Sequence, residues 1–197
     1  ALYDNKGRSR STAIGFKSMY YANSAAGAGT TFNTAVGYEA LRGSLNSVNN
    51  TGINNTAVGD QAMNSNTSGS SNTALGLKAS FSNTTGYSNV AIGVKALHNN
   101  LVQYNTVAIG DSALYSNTNG IRNSAVGSKA LYANTSGHFN TAMGYRALHL
   151  NQNGTDNTAV GHHASAGNVS GSKNVSVGSS ALFNCQNGSN NVVIGQE

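Results

Sequence analysis

Six carboxylates, five histidines and one cysteine are the side chains that could carry acid–base, metal or nucleophilic chemistry. The carboxylates are Asp4, Glu39, Asp60, Asp111, Asp156 and Glu197. Asp60 and Asp111 each follow a recurring glycine, but three repeats separate them. At the spacing of stacked strands they would stand about 14 Å apart, against the roughly 5 to 10 Å of a glycosidase pair. No catalytic pair is therefore expected within one chain. His98, His138, His149, His162 and His163 fall at several different repeat positions and lack the spacing of a zinc site. Adjacent strand residues such as His162 and His163 would point to opposite faces. They read as surface polar residues, and neither metal nor cofactor is expected. Cys185 stands where six other repeats carry Asn (Asn66, Asn83, Asn117, Asn134, Asn151, Asn168), which marks a loop position and not a nucleophile.

Binding chemistry is better represented. Five residues after the recurring glycine lie Phe81, His98, Tyr115, Tyr132 and His149. If repeats stack, these rings form a stripe roughly 19 Å long. Aromatic faces rimmed by Asn and Ser are what sugar rings stack on, so the stripe is the candidate ligand surface; the competing use is to cover neighbouring Leu or fill a subunit seam. Two residues after the glycine, Lys78, Lys95, Lys129 and Arg146 form a basic line that would attract anionic polysaccharide, or else serve solubility and block edge pairing. Charged residues are only 9% of the chain and do not interleave with aromatics as in a known nucleic-acid module, so no nucleic-acid partner is expected.

These positions are defined by a repeat. A phrase close to Asn-Thr-Ala-Val-Gly-x-x-Ala-Leu returns eleven times, with its glycine at Gly15, Gly37, Gly59, Gly76, Gly93, Gly110, Gly127, Gly144, Gly161, Gly178 and Gly195. The first two steps are 22 residues and the remaining eight are 17. So strict a period describes a solenoid in which each unit is buried by its neighbours. The Asn, Ser and Thr content, with 24 Gly and no Pro, would otherwise read as disorder. Residues 1–10 form a lead-in and 11–197 a single repeat domain, with the longer repeats at 11–54 and regular ones from 55. The apolar runs are far shorter than the ~20 residues of a membrane-spanning helix, so no membrane insertion is expected.

Within a repeat, the residue before the glycine is always a large aliphatic, from Ile14 to Ile194, and three before it sits Thr, Ser or Val. Strand alternation puts these two on one face, which the size of the aliphatics predicts to be the interior. The same argument sets aside an ice-binding grid, because the Thr column is interrupted by Val and expected to face inward. Ala35, Ala57, Ala74, Ala91, Ala108, Ala125, Ala142 and Ala159 then occupy the outer face, small enough for another chain to approach closely. A second short strand is expected over the Ala-Leu pairs such as Ala113-Leu114, a helical turn being the alternative. The Asn-x-x-Gly corners supply residues that tolerate positive φ, and their Asn side chains are expected to stack amide on amide. Two aliphatic side chains per unit are too few for a lone rod, so the alanine face is predicted to be a subunit seam.

The phrases Asn-Thr-Ala-Val-Gly, Asn-Val-Ala-Ile-Gly (Asn89 to Gly93) and Thr-Val-Ala-Ile-Gly (Thr106 to Gly110) resemble the head repeats of trimeric autotransporter adhesins. They are still more similar to the Asn-Thr-Ala-x-Gly-x-x-Ala-Leu arrays of phage tail fibres. The likeness covers about nine-tenths of the chain; only the period departs, since the autotransporter heads use shorter repeats. The resemblance implies a left-handed parallel β-roll, a homotrimer, and an extracellular or virion-tail fibre that recognises a cell-surface glycan or receptor. The expectation is an all-β parallel β-roll of about eleven coils with a structural and adhesive role and no enzymatic activity. The alternatives are a polysaccharide-degrading tailspike, whose carboxylates would meet across chains, and a passive shaft.

Overall fold

The computed structural model describes residues 1–3, 8–21 and 29–196, so Asp4 and Glu197 lie outside the described residues. The chain is an all-β parallel solenoid. Strands β1 (Arg8–Ser9) and β3 (Gly29–Thr30) form a small two-stranded sheet. The eleven others make one parallel sheet in strict sequence order: β2 (Thr12–Ile14), β4 (Thr34–Val36), β5 (Thr56–Val58), β6 (Thr73–Leu75), β7 (Val90–Ile92), β8 (Val107–Ile109), β9 (Ser124–Val126), β10 (Thr141–Met143), β11 (Thr158–Val160), β12 (Val175–Val177) and β13 (Val192–Ile194). From β5 onward every pairing joins a residue to the one 17 later, as Ala108 pairs with Ala125 and Ala142 with Ala159, giving about eight regular turns. No α-helix occurs among the described residues; one 3-10 turn, Ser47–Asn49, sits in the second longer repeat. There the inserted loop is tied down by Asn50, whose amide donates to the carbonyl oxygens of Tyr21 and Ser44.

The strand faces are the reverse of the size-based expectation. Ala35, Ala57, Ala74, Ala91, Ala108, Ala125, Ala142 and Ala159 are inside the coil at 0–1% exposure, part of a core cluster with Ala113, Leu114, Ala130 and Leu131. Closed in by their own chain, these alanines have no surface to offer a sister subunit. The aliphatics before the glycine point out instead, with Ile14, Leu75, Met143 and Ile194 exposed and the others half-buried. The physical reason is width. The interior is one layer, mostly Leu or Met, facing the sheet, and small side chains on the sheet side, nearly all Ala, leave the two walls close enough to be in contact.

Nor is the Ala-Leu segment a second strand. It is a turn in which alternate residues take left-handed φ, as at Lys95 (54°) and Leu97 (53°) or Lys129 (58°) and Leu131 (50°). It still bonds coil to coil: Leu97 N–H donates to the Ala113 carbonyl and Leu114 N–H to that of Ala130. Non-glycine residues in this region carry a conformational cost. These inter-coil bonds and the burial of Leu offset it. The recurring glycine has φ near 130°, and a Cβ there would overlap the backbone of the next coil's glycine, so only glycine fits.

The Asn-x-x-Gly corners differ from expectation in the same way. Positive φ falls elsewhere, and the Asn acts through its side chain. Buried Asn66, Asn83, Asn100, Asn117, Asn134, Asn151 and Asn168 form one column in which, from Asn83 onward, each amide Nδ2 donates to the Oδ1 of the coil before, at 2.8–3.2 Å. Most also donate to the corner glycine carbonyl, as Asn117 does to Gly120 at 2.8 Å. A second interior column, four residues before the glycine, runs from Asn33 to Asn191; each backbone N–H donates to the previous Asn Oδ1, with Thr106 the one interruption.

The first column ends where Cys185 replaces Asn, and Asn168 Oδ1 is left buried without a partner. Cys185→Asn is expected to supply that donor and stabilise the protein by about 1 kcal/mol. Asn117→Ala removes a donor to Asn100 and Gly120 and an acceptor from Asn134, and should cost on the order of 3 kcal/mol. Urea unfolding of both variants checks the opposite signs.

Candidate functional site

The sequence-predicted stripe is a stacked row. Ring centroids run Phe81–His98 5.3 Å, His98–Tyr115 5.1 Å, Tyr115–Tyr132 5.4 Å and Tyr132–His149 5.4 Å, with planes within 26° of parallel. The solenoid imposes this spacing: each ring leaves an identical backbone position one coil later. All five rings are half-buried.

The basic line lies beside the row. Lys78 Nζ sits 5.6 Å from the Phe81 centroid, a cation–π contact. Lys95 is exposed and Lys129 half-buried, the latter's carbonyl accepting from His149 Nδ1 at 3.2 Å. That bond holds the His149 proton on Nδ1. The Arg146 guanidinium lies 5.2 Å from the Tyr145 ring, and its Nε–H is buried with no acceptor. The structure thus sets Lys78 against Phe81 at one end of the row and Arg146 and Lys129 near His149 at the other, while Lys95 is simply exposed to solvent.

The other candidate residues stand apart. Asp60, Asp111 and Asp156 are exposed, whereas Glu39 is buried and paired with Arg42 at 3.4 Å and Gln61 at 3.1 Å, a structural role. His162 and His163 do not point to opposite faces; they lie in a turn, and their rings stack at 4.3 Å. Among the described residues no group of three or more His, Cys, Asp or Glu could hold a metal ion, and no helix is long and apolar enough to cross a membrane.

Sequence reasoning missed a second aromatic strip. Tyr87 and Tyr104 stack at 4.9 Å with planes 3° apart, and Arg122 lies over both Tyr104 and Phe139. The two tyrosines are 17 residues apart, which is the signal that would have found them.

Burial lowers the pKa of His149 below 6.5, with Arg146 and Lys129 adding to the shift against the raising effect of its backbone bond. His163 is lowered too, by burial first and then by His162, Arg146 and His149. At neutral pH the row therefore ends in uncharged imidazoles. No family model, curated protein or solved structure matches the chain.

A depressed histidine pKa means the unfolded chain binds the proton more readily, so this contribution is present above pH 6.5 and lost as pH falls through the folded value. Melting temperature should fall between pH 7 and pH 5. His149→Gln should flatten that decline, as thermal denaturation at the two pH values will show.

Proposed function

We propose that this chain is a segment of an adhesive fibre. Three copies pack side by side on their exposed sheet faces, and the outer row of rings and cations contacts anionic glycan on a target cell. In this reading each copy is a left-handed roll of eleven coils, displayed outside the cell or on a virion tail. The observation that carries the reading is the five-ring row from Phe81 to His149, in register, with Lys78 against its first ring and Lys129 and Arg146 near its last. The stacked rings turn their faces toward one another and offer a repeated series of ring edges, against which successive units of a sugar polymer can pack in turn. Each contact is weak, and a row adds them.

Assembly is supported by the sheet's outer face. Val36, Val58, Leu75, Ile92, Ile109, Val126, Met143, Val160 and Val177 line up across nine successive strands of that face. At about 4.8 Å per strand, the eleven-stranded face is roughly 50 Å long. A continuous apolar strip of that kind marks an interaction surface. The seam thus belongs to the aliphatic column and not to the alanines. The outward Thr column removes one ground on which an ice-binding grid was set aside, yet Val90, Val107 and Ser124 interrupt it and its companion column is wholly aliphatic. Such a face suits another protein chain better than ordered water.

Sedimentation equilibrium should give a species of three times 20.1 kDa, and Val107→Lys with Ile109→Lys should return it to a single chain that still melts cooperatively. A wild-type protein that sediments as one chain at micromolar concentration contradicts the assembly. Tyr115→Ala with Tyr132→Ala should reduce glycan-array binding at least tenfold; unchanged binding would make the row structural and this segment a spacer.

A further inference from the structure

The aromatic row does not end at His149. It skips one coil, where Ala166 and Gly167 occupy the positions of a ring and its neighbour, and resumes at Phe183. His163, from two residues after its glycine, leans into the vacated place and stacks on Phe183 at 5.7 Å and 21°. Beside it a cleft of about 260 Å³ remains, with a mostly apolar lining that includes His149, His163 and Phe183, and with Arg146, Asn184 and Gln186 as its polar residues.

We propose that this cleft is a binding site for a single carboxylated sugar ring. Its volume falls just below the ~300 Å³ at which sites for drug-sized ligands begin, which suits one ring and not an extended ligand. A lining that is mostly apolar and partly aromatic suits the C–H groups of a pyranose. The amides of Asn184 and Gln186 can each donate to and accept from hydroxyl groups. A flat aromatic ligand would leave those amides without partners.

The charge follows from Arg146. No carboxylate lines the cleft, so its guanidinium is the one permanent charge there. It lies over the Tyr145 ring and makes no ion pair among the described residues, so its charge is not committed to an internal carboxylate. A carboxylate on the ligand offers it paired acceptors in the geometry a guanidinium prefers. The two imidazoles, uncharged at neutral pH, present ring faces and do not compete for the anion. The ligand class rests on the glycan reading above, but the site is separate from the middle of the row.

Titration calorimetry with glucuronic acid and with glucose at pH 7.4 tests this on the whole chain. Glucuronic acid should bind at least tenfold more tightly than glucose. Ala166→Tyr, which restores the missing ring and fills the cleft, should abolish binding, and Arg146→Gln should weaken it about tenfold, the equivalent of 1.4 kcal/mol. Lys173→Ala, at an exposed residue outside both the cleft and the row, should leave it unchanged. Absence of glucuronic acid binding, equal binding of glucose, or full binding by folded Ala166→Tyr overturns the proposal. If Ala166→Tyr does not fold, unaltered binding by Arg146→Gln overturns it. Loss of binding only in the double tyrosine variant also rejects the cleft, while leaving the glycan-binding row intact.

Discussion

The interior asparagine amides set the terms for the rest of this fold. A buried amide without partners is costly, and here each is satisfied by the amide one coil away and by a corner carbonyl. That arrangement exists only if every coil returns the same residue to the same place. A slip of one residue would strand all the amides of a column together, so the columns act as a register lock along the solenoid. The 17-residue period is the sequence's expression of this lock. Where it lapses, at Cys185, an unpartnered oxygen marks the spot.

A second consequence is thinness. Amide columns and a layer made largely of Leu leave little room beyond Ala on the sheet side of the interior, and the buried Ser176 sits where Ser165 replaces Leu opposite it. The large aliphatics are displaced to the outer face, where a lone chain would expose them to water. The proposed side-by-side assembly follows from that displacement: the residues that cannot fit inside the coil are the ones available to bury between coils. The same repetition creates the row of rings, because any residue type recurring at one outer position becomes a stack.

Much of this was legible in the sequence. The solenoid, its period, the parallel register and the amide columns follow from the recurring Gly and Asn, and the ring row from the positions of Phe81 to His149. The direction of the strand faces was not legible. Both faces of Thr-Ala-Val-Gly carry apolar residues, so alternation alone does not say which is inside, and the rule that larger side chains are buried fails when the interior is narrower than they are. The Ala-Leu turn was hidden for a different reason. Its left-handed residues are mostly Lys, Leu and Ser, types with no preference for positive φ, held there by inter-coil hydrogen bonds. The cleft was written as an absence, Ala166 in a column of rings, and such gaps gain meaning only once the neighbouring coils are in place.

The central claim is tested most directly by nuclear magnetic resonance of the asparagine side chains. If the amides stack inside the coil, the Nδ2 protons of Asn83, Asn100, Asn117, Asn134, Asn151 and Asn168 should exchange slowly with solvent, and each should show cross-peaks to the asparagine 17 residues before it. Rapid exchange, or contacts at any other spacing, would contradict the account.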